Sequence, residues 1–374
     1  MNNTWYDDTL VNRFEQKGYL KDSLKCDVLI VGGGLAGLSL LYNLKKNNVD
    51  ALLIEENRIG SGASGRNGGF CLSGWAQDYD VLLKYLSKEE VVALEQIAAS
   101  GVKWMRQKCL SNGYEHTNIK SGVLKCFLSN NTEKVQTEVS NQNQLFGQNE
   151  EFIDKENLSE YVCSEKYTCG VLRKDSFQFH PLNFMNSLAK DCIIKGASIF
   201  ENCKFIDYNK NGGKIESNIS HKNKILNIHS EKIVFATGGY GGKEIKDLKN
   251  YWLPIKTFIG VTKPMGSELQ SVLKKPLGFS DNRRAGNYYR VLPGNRLSWG
   301  RGISAVGNFT SSSLKKVISR EISYFFPNLR NVEIDYVWSG NMAYASHYMP
   351  YVGTAKIGEE EKNVFTIMGF GGHG

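Results

Sequence analysis

Apolar positions along this chain fall into a few recurring patterns, and each predicts a different element. "CDVLIV" (26–31) and "DALLIEE" (50–56) are apolar runs without polar alternation, as in strands buried on both faces of a parallel sheet. Between them "LAGLSLLYNLKKN" (35–47) is apolar first and charged at its end, which predicts a helix. Strand, glycine turn, helix and strand make a βαβ unit of about 30 residues. "HKNKILNIHSEKIVFATG" (221–238) reads as a hairpin returning to that sheet. "TNIKSGVLKCFLS" (117–129) is strand-like and is followed by a polar helical stretch, "NTEKVQTEVSNQNQLFG" (131–147). Further on, "IKTFIGVTKPM" (255–265) and "NRLSWGRGIS" (295–304) alternate with turns and predict an antiparallel sheet. "SSSLKKVISREISYFFP" (311–327) predicts a helix with Ser312 or Ser313 as cap and Pro327 as stop.

Three glycines in the first βαβ unit, Gly32, Gly34 and Gly37, have the GxGxxG spacing. The first permits a tight turn, the second lets the backbone approach a pyrophosphate, and the third lets helix and strand pack closely. Free N–H groups at the helix start then face an anion. Glu55 ends the second strand 18 residues after Gly37, where a carboxylate accepts hydrogen bonds from a ribose diol. A bare GxGxxG is weak evidence; here both strands, the helix and the terminal acid accompany it. An acid at this position disfavours a 2′-phosphate, which leaves NAD or FAD.

Length changes the picture only by adding a second domain: 374 residues exceed the usual size of one. With 41% hydrophobic and 22% charged residues the chain is an ordinary globular protein. The net charge of +8 is spread over scattered lysines and forms no dense basic stripe, so nucleic acid is not an expected partner. Eight cysteines without a CxxC pair and six histidines without HxxxH or HExxH spacing indicate no metal site. The apolar run from Cys26 to Leu44 is interrupted by glycines and ends in polar residues, so no membrane span is expected. The N-terminus has neither the basic head nor the apolar core of a secretory signal, and reduced thiols in a cytoplasmic protein are the expectation. Nothing in the sequence indicates an oligomeric state.

Beyond the second strand, "NRIGSGASGRNGGFCLSGW" (57–75) is a long glycine-rich excursion where a nicotinamide fold continues with helix and strand. "DVLIVGGGLAGLS" followed by "GASGRNGGF" resembles the FAD-dependent amine and amino-acid oxidoreductases of the D-amino-acid oxidase superfamily, and within it the γ-glutamylputrescine oxidoreductase-like branch. The resemblance continues in order through "HPLNFMNSLAKDCIIKGASIFENCKFIDYN", "KIVFATGGYG", "DNRRAGNYYRVLPGNRLSWGRGIS", "VWSGNMAYASHYMPYVG" and "NVFTIMGFGGHG", with "TWYDDT" similar to that branch's N-terminal arm. It implies an α/β fold of two domains: a Rossmann-like FAD-binding domain and an antiparallel-sheet substrate domain. The FAD domain is expected at 1–115, 165–245 and 338–374, and the substrate domain at 116–164 and 246–337.

Site roles follow from the same resemblance. Gly32, Gly34 and Gly37 meet the pyrophosphate and Glu55 the adenosine ribose. Ser64, Arg66, Asn67, Gly68 and Gly69 line the phosphates and flavin, Thr237, Gly238 and Gly239 close over the cofactor, and Gly369, Gly371, Gly372 and Gly374 form a turn beside the isoalloxazine ring. Relatives with covalent flavin use a histidine just past the ribose acid or a late cysteine; no histidine lies between Glu55 and Gly69, so non-covalent FAD is expected, with Cys71 a buried structural thiol. The implied reaction oxidises the C–N bond of an amine, γ-glutamylputrescine-like or another small amine, by hydride transfer to flavin N5, with hydrolysis of the imine. The alternatives are an amino-acid dehydrogenase or oxidase and a catalytically impaired flavoprotein. A dry aromatic pocket that keeps the amine neutral suffices for this chemistry. One or two of Tyr288, Tyr289 and Trp299 are expected to reach the ligand, from an aromatic set that also holds Trp338, Tyr344 and Tyr348. Arg290 or Arg301 is expected to hold a substrate carboxylate, and His347 to relay a proton or bond the cofactor. Ser298 stands where sarcosine-oxidase relatives have an oxygen-activating lysine, which leaves oxygen or another electron acceptor open. Relatives continue past the last glycine turn into a helix, whereas this sequence stops at Gly374; the expectation is a fragment that binds FAD poorly.

Overall fold

The computed structural model describes residues 3–16, 18, 20, 22–211, 213–241, 251–305, 309–329, 332–354 and 363–372. The chain divides into two compact units. One, the parallel-sheet unit, comprises Leu10–Arg66, Pro181–Ile255 and Gly340–Gly374; the other, the mixed-sheet unit, comprises Met1–Thr9, Asn67–His180 and Lys256–Ser339.

The apolar runs near the N-terminus do form adjacent parallel strands. Leu24–Val31 pairs in parallel with Ala51–Ile54 on one side and with Lys224–Phe235 on the other. Val364–Met368 and Ser198–Phe200 extend the parallel array at its two ends. Ala51–Ile54 is buried at every position, and the last four residues of Leu24–Val31 are too, because both faces of the sheet are covered. On one side lies Leu35–Lys46, followed in space by Pro181–Ile194, whose Cys192 Sγ approaches the Leu38 carbonyl at 3.7 Å. The latter helix starts with a proline, whose missing N–H costs nothing in the first turn. The segment 221–238 is not a hairpin by itself: it supplies the turn and second arm of one, the single strand Lys224–Phe235 running antiparallel to Lys214–His221. The core of this unit is Leu29, Leu52, Ile54, Ile233, Phe235, Phe200 and their neighbours.

Among the described residues of the mixed-sheet unit nine strands form one sheet, with Arg296–Ser304, Tyr288–Leu292, Gly278–Asp281, Lys120–Phe127 and Cys169–Gln178 as its successive central members. Most pairs are antiparallel, as the alternating pattern predicts, but Gly278–Asp281 runs parallel to Lys120–Phe127. The polar stretch 131–147 is the helix Thr132–Phe146, closed by Gly147 in the left-handed region. The helix Ser311–Phe325 is capped by Thr310, whose hydroxyl accepts from Ser313 N at 3.1 Å. Neither Ser312 nor Ser313 is the cap: Thr310 is the last residue with extended backbone, so the serines fall in the first turn. Pro327 follows the C-cap, Phe326, as its placement predicts.

Residues 3–9, 67–115, 165–180 and 338–339 pack in the mixed-sheet unit and 251–255 in the parallel-sheet unit, where the resemblance implies the reverse. Sheet pairing decides this. Phe70–Cys71 bonds to Cys169–Gln178, and that strand bonds to Lys120–Phe127. No helix among the described residues is long and apolar enough to cross a membrane. Among those residues no group of three or more histidine, cysteine, aspartate or glutamate side chains is arranged to hold a metal ion.

Candidate functional site

Within the parallel-sheet unit, three adjacent parallel strands end at the same edge, and the glycine turn, Glu55 and Thr237 follow those ends. Gly32 has φ +115°, and a Cβ there would stand 2.6 Å from the Ala236 carbonyl oxygen. Gly37 touches the turn it follows: its Cβ would land on the Gly32 carbonyl oxygen. Gly34 is the N-cap of Leu35–Lys46 and offers no side-chain cap; the Leu35 N–H donates instead to Ser64 Oγ at 2.9 Å. Gly34 thus puts no side chain over the helix start, which leaves room for an anion beside its first N–H groups.

Glu55 crosses the turn. Its carboxylate accepts from Gly33 N at 2.7 Å and from Asn57 N at 2.9 Å. Burial raises its pKa, and those two backbone donors oppose the rise. Thr237–Gly239 begins a short 3-10 turn, with a Cβ on Gly239 only 2.9 Å from the Asn341 carbonyl group. The aliphatic stem of Arg66 lies 3.5 Å from where Gly340 would place a Cβ. Gly369 and Gly371 both have positive φ, Gly371 N donates to Ala343 O at 2.8 Å, and Gly372 faces the Tyr344 hydroxyl. Gly374 lies outside the described residues. His347 is exposed, in a turn where its Nδ1 accepts from Met349 N at 3.2 Å. A dinucleotide suits this arrangement: the glycines leave room for its phosphates, the helix start supplies donors, and Glu55 supplies an acceptor for a ribose.

In the mixed-sheet unit the Tyr288–Leu292 strand sorts its side chains between two faces. Tyr288 pairs with Gly300, Tyr289 with Trp299 and Arg290 with Ser298. Tyr289 and Trp299 therefore share the face covered by the Ser311–Phe325 helix, while Tyr288 and Arg290 take the other.

This alternation narrows two expectations: that one or two of Tyr288, Tyr289 and Trp299 reach the ligand, and that Arg290 or Arg301 holds a carboxylate. Tyr289 and Trp299 do not line a ligand face; both are fully buried, stacked 4.4 Å apart, with Phe279 stacked on Tyr289 at 5.4 Å. Their polar tips are internally satisfied: Tyr289 donates to the Tyr167 hydroxyl at 3.0 Å and Trp299 Nε1 to Asn287 Oδ1 at 3.2 Å. Arg301, two residues from Trp299, pairs with Glu321 of that helix at 3.1 Å.

Tyr288 and Arg290 rest instead on the glycine pair of the 57–75 excursion. A Cβ on Gly68 would stand 2.7 Å from the Tyr288 ring, and one on Gly69 would collide with the Arg290 guanidinium and the Phe179 carbonyl. Gly69 has φ +72°, and its N–H donates to Asn67 Oδ1 at 2.8 Å. Phe70 meets Tyr288 edge-on at 6.1 Å. Arg290 is 4% exposed and donates from Nη2 to the Tyr6 hydroxyl at 3.0 Å.

Tyr6 belongs to a helical turn, Trp5–Asp8, closed by a capping box in which Thr4 and Asp7 bond reciprocally. Around it lie His180, with its ring centroid 4.9 Å away, and Trp338 at 5.6 Å. The sequence gives neither Tyr6 nor His180 a role: they fall in "TWYDDT" and at the start of "HPLNFMNSLAKD", segments whose likeness to the family carries none.

Burial, aided by the Arg290 charge, pulls the pKa of His180 from 6.5 down to about 3. The unfolded chain binds this proton below pH 6.5 and the folded chain does not until pH 3 is approached. Stability from this group is therefore fully present above pH 6.5 and falls as pH decreases through the window, by up to about 1.4 kcal/mol per unit. His180→Gln is expected to flatten the acid limb of stability relative to the wild type. Urea midpoints between pH 4 and 7 that change in parallel for the two proteins would contradict it.

Residues 27–374 match the family described as DAO, FAD dependent oxidoreductase. The probable oxidoreductase OrdL of Haemophilus influenzae is 25% identical over 93% of this chain and 79% of its own length. The gamma-glutamylputrescine oxidoreductase of Escherichia coli is 24% identical over 97% of this chain and 83% of its own. Among solved structures, an L-amino acid deaminase from Proteus myxofaciens shares the fold with a TM-score of 0.75 at 13% identity, covering 96% of this chain and 88% of that one. Glycine oxidase from Bacillus cereus does so with a TM-score of 0.68 at 20% identity, covering 92% and 90%. With the match running from the first βαβ unit to the last glycine turn, the chain belongs to the DAO family of FAD-dependent oxidoreductases.

Proposed function

We propose that this chain oxidises the C–N bond of a small amine, and that the imine formed is hydrolysed. The observation that carries the reading is the family match over residues 27–374, joined by likeness to a gamma-glutamylputrescine oxidoreductase over nearly the whole chain. FAD, when bound, supplies the acceptor for the hydride that leaves the carbon bearing nitrogen.

The protein's part is to hold and to exclude. The Gly34 helix start and the Gly32–Gly37 turn receive the pyrophosphate, and Glu55 accepts from the adenosine ribose. The parallel-sheet unit takes the dinucleotide, with Ser64, Arg66, Thr237, Gly238, Gly239, Gly369, Gly371 and Gly372 in supporting roles. Substrate recognition is assigned to the mixed-sheet unit, on the Tyr288 and Arg290 face lined by Gly68 and Gly69. Exclusion of water there, with the Arg290 charge alongside, would favour the neutral amine, whose lone pair assists hydride departure. His347, exposed in its turn, is left the task of exchanging a proton with solvent.

Attachment of FAD without a covalent bond goes with this reading. Cys71, within the glycine excursion, is buried against Met105, and burial pushes its pKa up to about 12, far from a nucleophilic thiolate. Cytoplasmic location is part of the same proposal: all eight cysteines are free thiols.

Anaerobic mixing with a panel of small amines, polyamine conjugates and α-amino acids tests the reading. Amines are expected to bleach the flavin absorbance, and acid precipitation to release yellow FAD into the supernatant. Bleaching by α-amino acids alone would replace the amine reading with an amino-acid one, and no bleaching by any of them would remove it. Hydrogen peroxide formed on admitting air identifies oxygen as the acceptor; its absence after bleaching assigns another.

A further inference from the structure

Of the two tyrosines that open the Tyr288–Leu292 strand, Tyr289 is sealed in the core, whereas Tyr288 is half-buried on the opposite face. Its ring fills the space of two missing side chains: a Cβ on Gly300 would fall 2.0 Å from it, and one on Gly68 2.7 Å. Its hydroxyl meets Thr257 Oγ1, on the strand Trp252–Thr262, at 3.4 Å. Thr257 decides the direction of that contact. A threonine hydroxyl has a single proton, and that of Thr257 goes to the Gly302 carbonyl oxygen at 3.1 Å, a group that can only accept. Toward Tyr288 the Thr257 oxygen is then an acceptor, and the phenol donates to it. With its one proton engaged in this way, the Tyr288 oxygen faces a ligand as an acceptor alone.

We propose that this acceptor takes an N–H of the substrate amine, so that the chain oxidises primary and secondary amines and not tertiary ones. The inference rests on the amine reading above and narrows it. Hydride departure draws on the nitrogen lone pair, and a hydrogen-bond donor placed on that lone pair would hold it back. An acceptor avoids this, because it grips the nitrogen through its hydrogen and leaves the lone pair unbound. Thr257 is a positioning residue: by taking the proton of the phenol it keeps Tyr288 in the accepting sense. Phe70 meets the Tyr288 ring edge-on, and Ile259, which pairs with Gly300 as Tyr288 does, shares the face. A tertiary amine brings no N–H to this site, and its extra methyl group would stand where the hydrogen bond forms.

Two experiments on the FAD-loaded protein test this. In the first, anaerobic flavin bleaching is followed with three homologues of one amine: unmethylated, N-methylated and N,N-dimethylated. The wild type is expected to favour the first two over the third at least tenfold in kcat/KM, and Tyr288→Phe to bring that preference toward one by slowing the substrates that carry N–H. Thr257→Val is expected to lower kcat severalfold with KM nearly unchanged, since the released phenol proton turns onto the lone pair, and Thr257→Ser to restore it. A merely structural role would slow all three homologues alike and spare the preference. In the second, without turnover, the oxidised protein is titrated with aniline, neutral at about pH 8 and with no hydrogen on the carbon bearing nitrogen, and with toluene, which has its shape without an N–H. Tyr288→Phe is expected to weaken aniline about threefold to tenfold and to leave toluene binding and FAD content unchanged. Equal bleaching by the secondary and tertiary homologues in the wild type, or equal affinity for aniline in wild type and Tyr288→Phe, would overturn the assignment. If aniline binds in a Tyr288-dependent way while no amine bleaches the flavin, the amine reading fails and the N–H site stands.

Discussion

Replacing Trp299 by alanine is expected to destabilise the protein by about 3–5 kcal/mol, the range for deleting a large aromatic from a packed core. Trp299 has no exposed surface; one face of its ring stacks on Tyr289, and the Phe325 and Phe326 rings stand about it at 6.0 Å. The substitution leaves a cavity and a second fault. Asn287 Oδ1 loses the indole N–H, while the Asn287 amide stays tied to Glu321 at 3.0 Å and its backbone N–H to Asp281 at 3.0 Å, so the orphaned acceptor cannot turn away. Trp299→Phe keeps much of the ring area and is expected to cost less. Urea unfolding at fixed FAD concentration measures both. The same experiment separates a core tryptophan from a ligand-lining one: the latter, cut to alanine, would weaken substrate binding while changing stability by less than about 1 kcal/mol. That pattern for Trp299 would return it to the pocket.

The dinucleotide half was legible because its determinants are local. Turn, helix start and terminal acid lie within one βαβ unit, where spacing alone brings Gly33 N to the Glu55 carboxylate. The substrate half was not, for two reasons. Tyr288, Tyr289, Arg290 and Trp299 alternate between faces, and which face the Ser311–Phe325 helix covers is set by packing between segments, not by any pattern inside "NYYRVLPGNRLSWG". The Tyr6–Arg290 bond joins residues 284 apart, and neither neighbourhood announces the other. Non-local pairing also moves the unit boundary, since Phe70–Cys71 is drawn to Phe177 and Gln178. The glycines of "GRNGG" show how a correct motif can serve more than its first reading: besides any contact with a phosphate, Gly68 and Gly69 make room for Tyr288 and Arg290.

Gly37→Val is expected to abolish stable FAD binding, lowering the cofactor content of the purified protein at least tenfold, with a concurrent fall in Tm. The first carbon of the new side chain would fall on the Gly32 carbonyl oxygen, and Ile30 stands 3.4 Å away behind it. Neither obstacle can yield cheaply. The oxygen belongs to a turn whose own glycine has φ +115° and no room for a side chain, since a Cβ there would fall 2.6 Å from Ala236 O, and Ile30 is fully buried in the sheet. The helix must therefore back away from the strand, and the N–H groups at its start leave the position that suits a pyrophosphate. Gly34→Ala is the graded companion: its nearest neighbour is Ser64 Oγ at 3.0 Å, the end of a rotatable side chain, so FAD binding should weaken without disappearing. Gly101→Ala supplies the opposite sign. It lies inside the helix Lys88–Cys109 with nothing within 4 Å of the added carbon, and alanine there should raise stability by about 0.5–1 kcal/mol. Absorbance ratios and melts of the three variants, each with and without added FAD, separate loss of the cofactor cradle from general unfolding. A yellow, fully loaded Gly37→Val protein with wild-type Tm would show that helix and turn are not in the contact described.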